Sequence, residues 1–144
     1  MPTSVNTGRV ILGGLLAGLV LNVVSVLNNM VFLAQRMRQM ADDRFILAQE
    51  RLPPFVPLWI VLMFLVGIAL VWLYAQARER MGPGPATAFQ VGLVVGLVAG
   101  IPGNFSQAEW SMSGRFLPFM WAVETVVGCT LGCLAGAWLY RERA

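Results

Sequence analysis

One carboxylate, Glu124, stands in the middle of an apolar run, "FLPFMWAVETVVGCTLGCLAGAWLY". A charged side chain at mid-bilayer depth costs about 2.5–3.5 kcal/mol on insertion scales, so such residues turn toward a bundle interior and mark function or a specific partner. Glu124 lies eight residues past Phe116, and Ser25 lies eight before Leu33. At ~1.5 Å of helical rise per residue, both sit about 12 Å from the same boundary. Asn22, Asn28 and Asn29 bracket that level, and Thr125 follows Glu124 directly. These residues are expected to form one buried polar cluster. Two chemistries suit it. It is a proton-coupled or ligand-binding site, or it is a hydrogen-bond clamp between the first and fourth helices. Interhelical hydrogen bonds of this kind are worth about 0.6 kcal/mol each.

Little other chemistry is on offer. The chain has no His, which removes the usual haem or zinc ligand and the usual neutral-pH proton shuttle. Cys129 and Cys133 lie four apart in an apolar run, a poor geometry for a disulfide within one helix, and read as small packing residues. No nucleophile–base pair, metal cluster or phosphate loop is present. The loop "GNFSQAEWSMSGR" holds Asn104, Gln107, Glu109 and Trp110 and is expected to form a mouth or an interfacial anchor. The sequence therefore points away from an enzyme and implies no cofactor.

The elements that must position Glu124 follow from composition. The 144 residues are 58% hydrophobic and 12% charged, with a mean hydropathy of +0.71. Soluble domains carry about 25% charged residues, so this chain belongs in a membrane. Its ten basic residues, all Arg, flank apolar runs instead of forming a patch, which argues against nucleic acid as a partner. A bilayer core of ~30 Å needs ~20 helical residues. Four spans are expected, at about 10–33, 55–77, 86–103 and 116–140, making one transmembrane domain over residues 1–144. The first run is too long for a cleavable signal core. Continuous apolar runs, not two-residue alternation, select an all-α, four-transmembrane-helix bundle. Span three is launched by "GPGP" and is expected to stop near Pro102-Gly103. Residues 35–53 form an extension of the first helix, an interfacial turn or a solvated connector.

The second and fourth spans end alike. Trp72-Leu73-Tyr74 precedes Arg78-Glu79-Arg80, and Trp138-Leu139-Tyr140 precedes Arg141-Glu142-Arg143. Trp and Tyr favour the headgroup level, so Trp72, Tyr74, Trp110, Trp138 and Tyr140 are expected as interfacial anchors. The first and third spans share "GLLAGLV" at 14–20 and "GLVVGLV" at 92–98. The chain thus reads as two tandem helical hairpins whose second members exit on one side. Arg residues divide five to five between the two sides, so their number does not orient the chain. Clustering at two span ends favours termini in the cytoplasm.

Small residues recur at helical spacing: Gly14 and Gly18 with Asn22, Ser25 and Asn29; Ala88, Gly92, Gly96 and Gly100; Glu124 with Gly128, Gly132 and Gly136. Such ladders let backbones approach in lipid, within one bundle or along an oligomer seam. The second span, bulky apart from Gly67, is expected to show the most surface to lipid.

The stretch "GRVILGGLLAGLVLNV", Asn28-Asn29, Glu124 and the terminal "LAGAWLYRE" resemble a group of short four-helix bacterial membrane proteins of no assigned activity. The resemblance covers most of the chain and implies the fold alone. The expected role is a non-catalytic inner-membrane protein, a structural or accessory subunit or a homo-oligomer packed through glycine faces. The other reading is a small proton-coupled transporter or channel working through Glu124. Expected partners are the lipid bilayer and either further copies or a larger membrane complex.

Overall fold

The computed structural model describes residues 5–47, 55–112 and 114–140. They form four long helices and, among the described residues, no strand: α1 (Thr7–Asp42), α2 (Phe55–Met81), α3 (Pro85–Trp110) and α4 (Phe116–Leu139). Each is long and apolar enough to cross a membrane. The protein is an all-α four-helix bundle of multi-pass membrane type. Arg141, Glu142 and Arg143, Arg51, and the Pro53-Pro54 pair lie outside the described residues.

α1 starts at Asn6, whose side chain accepts from the Arg9 N–H at 3.3 Å. It runs far beyond Leu33. The segment Asn28–Leu33 is π-helical, and Ala34–Asp42 returns to α geometry. Of the three expectations for residues after 34, helical extension is the one observed, as far as Asp42. α3 begins with Gly84 at φ 138°, a conformation that favours glycine, followed by Pro85 in the first turn, where a missing N–H costs nothing.

α3 does not stop near Pro102-Gly103. It continues to Trp110, so the stretch 104–110, expected as a loop, is helix. Pro102 removes one backbone donor, yet its helical neighbours hold the geometry. Asn104 donates to the Gly100 carbonyl oxygen at 2.7 Å, adding a side-chain bond beside the proline.

The helices pack in the order α2–α1–α4–α3. α4 packs most extensively on α3, and α1 packs on both α2 and α4, while α2 touches α3 and α4 lightly. Glycines set these distances. A Cβ placed at Gly18 would lie 2.6 Å from Phe64 Cα of α2, and one at Gly67 would lie 2.9 Å from Gly18 Cα. A Cβ at Gly92 would lie 2.7 Å from the Cys129 carbonyl oxygen, and one at Gly96 2.7 Å from Val126 Cα. Gly100 meets Ala122 and Thr125, Gly132 meets the Ala17 carbonyl, and Gly136 meets that of Gly13. Every ladder is therefore occupied by the chain's own helices. α2 is the least covered span, as its bulk implies: 17% of its apolar stretch is buried, against 33, 28 and 33% in α1, α3 and α4.

The two Trp-Leu-Tyr ends do meet at one side of the bundle. Tyr74 and Tyr140 form an edge-to-face pair with ring centroids 6.1 Å apart. The tyrosines are not interfacial anchors, since both are buried. Trp72, Trp110 and Trp138 are exposed, as anchors require. Burial of the tyrosines has a hydrogen-bonding cause. The Tyr74 hydroxyl accepts from the N–H of Gly84, the residue that begins α3, at 3.2 Å. The Tyr140 hydroxyl accepts from the N–H of Asn6, the residue that begins α1, at 3.4 Å. Each tyrosine thus satisfies a donor at the start of a glycine-lined helix, and the two arrangements are equivalent in the two hairpins.

Candidate functional site

The site is built where α1 changes its winding. Along Thr7–Leu27, Gly13, Ala17 and Leu21 form the stripe toward α4, meeting Gly136, Gly132 and Gly128. Gly14 and Gly18, one position on, face Ile68 and Phe64 of α2. Continued α geometry would carry Leu33 and Met40 away from α4. The i→i+5 bonding of a π segment lowers the turn to roughly 80° per residue from 100°. Over the five steps from Asn28 to Leu33 this rotates the rest of α1 back by about 100°. Leu33 and Met40 are accordingly buried with Leu117 of α4, flanked by Met37, Met120 and Trp121.

Glu124 lies between this small apolar cluster and the main one, which contains Ala17, Leu21, Leu70, Val71, Cys129 and Cys133. Asn28 Nδ2 donates to Glu124 Oε2 at 2.6 Å. Asn29 Nδ2 donates to the same oxygen at 3.4 Å and to the Ser25 carbonyl at 2.9 Å. The Ser25 side chain is also hydrogen-bonded to the Glu124 carboxyl. Ser25 and Asn28 are buried and Glu124 is half-buried. The expected depth match between Ser25 and Glu124 is thus realised as contact.

Two expected members do not reach the carboxyl by any described bond. Asn22 Nδ2 donates to the Gly18 carbonyl at 2.9 Å, and Thr125 Oγ1 donates to the Trp121 carbonyl at 2.9 Å. Both are four residues from their acceptor, where a helix presents a carbonyl to a short polar side chain.

Arg78 was not among the expected site residues. Its guanidinium carbon lies 5.9 Å from the Tyr74 ring centroid and 5.2 Å from that of Tyr140, at the opposite end of the bundle from Leu117. Its spacing of four from Tyr74 was the available signal, because i and i+4 share a helix face. Cys129 and Cys133 are free and buried, in keeping with a packing role. Among the described residues there is no group of three His, Cys, Asp or Glu that would hold a metal ion.

The arrangement can do two things. Three uncharged donors from one helix grip a carboxyl on its antiparallel neighbour, which fastens α1 to α4. The same carboxyl is a group able to exchange a proton. Comparison with family models, curated proteins and solved structures gives no match.

Proposed function

We propose that the chain is a small multi-pass protein of the bacterial inner membrane, without catalytic activity, that serves as a structural or accessory subunit of a larger membrane assembly. The Glu124 cluster is the internal fastening of its first and last helices. The observation that carries this reading is the donor set. The described bonds to the Glu124 carboxyl come from Asn28, Asn29 and Ser25 of one helix of the same chain. Because the glycine ladders are filled internally, any partner or further copy meets the bulky Leu, Val and Phe faces instead. α2, with Leu58, Trp59, Val61 and Leu65 exposed, offers the broadest of these. Termini in the cytoplasm remain the preferred orientation.

A second reading is favoured by one observation. π-helical turns are rare and frequently lie at functional sites, and here one begins at Asn28, beside the acid. That favours a small proton-coupled transporter or channel centred on Glu124.

Gentle extraction from native membranes, with wild type and Glu124→Gln in parallel, decides between them. The accessory reading expects larger subunits to co-purify, and Glu124→Gln, which keeps an amide acceptor, to retain assembly and thermal stability. A lone homodimer whose proton-linked transport signal disappears in Glu124→Gln overturns it.

A further inference from the structure

The two hairpins are alike in sequence but not in how their seams close. Aligning Trp138 with Trp72 places Gly128, Gly132 and Gly136 opposite Leu62, Val66 and Leu70. Aligning Gly14 with Gly92 places Gly13 and Ala17 opposite Val91 and Val95. The α1–α4 seam is therefore made of small residues and is tight. Its counterpart, α2–α3, is made of bulky ones, and the helices stand apart. The result is an outward-opening cleft of about 440 Å³ lined by Leu73, Ala77, Met81, Gln90, Val91, Val94 and Val95.

The polar groups along this cleft are ordered by depth. Met81 lines the mouth, and Arg80, seven residues past Leu73 and three past Ala77, lies next to it at the edge of the same helix face, while Glu79 points to the opposite side of α2. Arg80 is exposed. Gln90, also exposed, lies five residues into α3, about 7.5 Å below its start. An amide facing hydrocarbon at that depth is costly unless it meets an acceptor. Below Gln90 the lining is wholly aliphatic. From the rim inward the order is Arg80 beside Met81, then the Gln90 amide, then hydrocarbon, which matches phosphate, ester carbonyl and acyl chain in a phospholipid.

We propose that the α2–α3 cleft holds one anionic phospholipid, with its phosphate at Arg80, an ester carbonyl at Gln90 and an acyl chain against Val91, Val94 and Val95. The lipid supplies the closure that glycines supply in the other seam. Native mass spectrometry of the full chain, exchanged into detergent micelles containing either phosphatidylglycerol or phosphatidylcholine, tests this. Retention of one phosphatidylglycerol per chain in preference to phosphatidylcholine is expected. Arg80→Gln lowers that preference about fivefold, and Val94→Trp, which fills the cleft, abolishes retention while the lipid-free melting temperature holds. Equal retention of both lipids, undiminished retention in Val94→Trp, or a second copy of the chain bound in place of lipid overturns the proposal. If Val94→Trp fails to fold, Gln90→Leu combined with Arg80→Gln replaces it: loss of the phosphatidylglycerol preference supports the proposal, and its persistence overturns it.

Discussion

Asn22 and Asn28 are the same residue type on one helix, yet only Asn28 bonds Glu124. The difference predicts unequal costs. Asn28→Ala removes the shortest bond to the carboxyl and should lower stability by about 1 kcal/mol, within the range seen for interhelical bonds in lipid. Asn22→Ala gives up only a bond to its own helix backbone and should cost a few tenths of a kcal/mol. Reversible unfolding in mixed micelles compares the two, and equal losses would contradict this assignment. At this scale the sequence was legible in depth but not in pairing. Counting from the apolar boundaries placed Ser25 level with Glu124 because helical rise is constant. It did not separate Asn28 from Asn22 because a carbonyl four residues back competes for every short polar side chain in a helix. Tyr74 and Tyr140 were misplaced for a related reason. Aromatic preference for the headgroup level is an average, and it yields where an unpaired N–H at a helix start lies within reach of the hydroxyl.

Within the helices, the π turn sets the register. Four α steps and five π steps both amount to about 400°. Deleting Met30 should therefore let Asn28–Leu33 relax to an α-helix while Leu33 and Met40 keep their places against Leu117, with little change in melting. Inserting one Ala after Phe32 turns Leu33, Met37 and Met40 by about 100° away from α4 and should cost on the order of 2 kcal/mol of packing. Intrinsic fluorescence and thermal denaturation of the two variants check this pair, and equal damage from deletion and insertion would contradict it. Such a turn is invisible to hydropathy, because Asn28–Leu33 is as apolar as an α-helical stretch apart from its two amides. The length of α3 was missed for the opposite reason. Pro102 and the polar run after it are breaker signals in water, whereas this helix continues through them, with Asn104 bonded to the Gly100 carbonyl.

The whole molecule was the most legible level. Four apolar runs, the paired Trp-Leu-Tyr ends and the twice-repeated glycine stripes imply four spans and two hairpins, and the tyrosine pair confirms that both hairpins end on one side. What the ladders would touch was open, since close-packing surfaces look the same whether they meet a neighbour in the chain or another copy. The two seams are unequal because small residues line one and bulky residues the other, a difference that becomes a cleft only when the halves pack.

α4 is the main support of α3 and shares α1 about equally with α2, while α2 is attached chiefly through α1. Mechanical extraction should therefore depend on which end is held. A cantilever tugging the carboxyl terminus removes the keystone first, so the force trace should show one dominant rupture and then a lesser one as the α1–α2 pair parts. Tugging the amino terminus should give two comparable peaks, as α1 lets go of α4 and the α3–α4 couple then yields. Identical traces from both ends would show that load is shared evenly among the four rods.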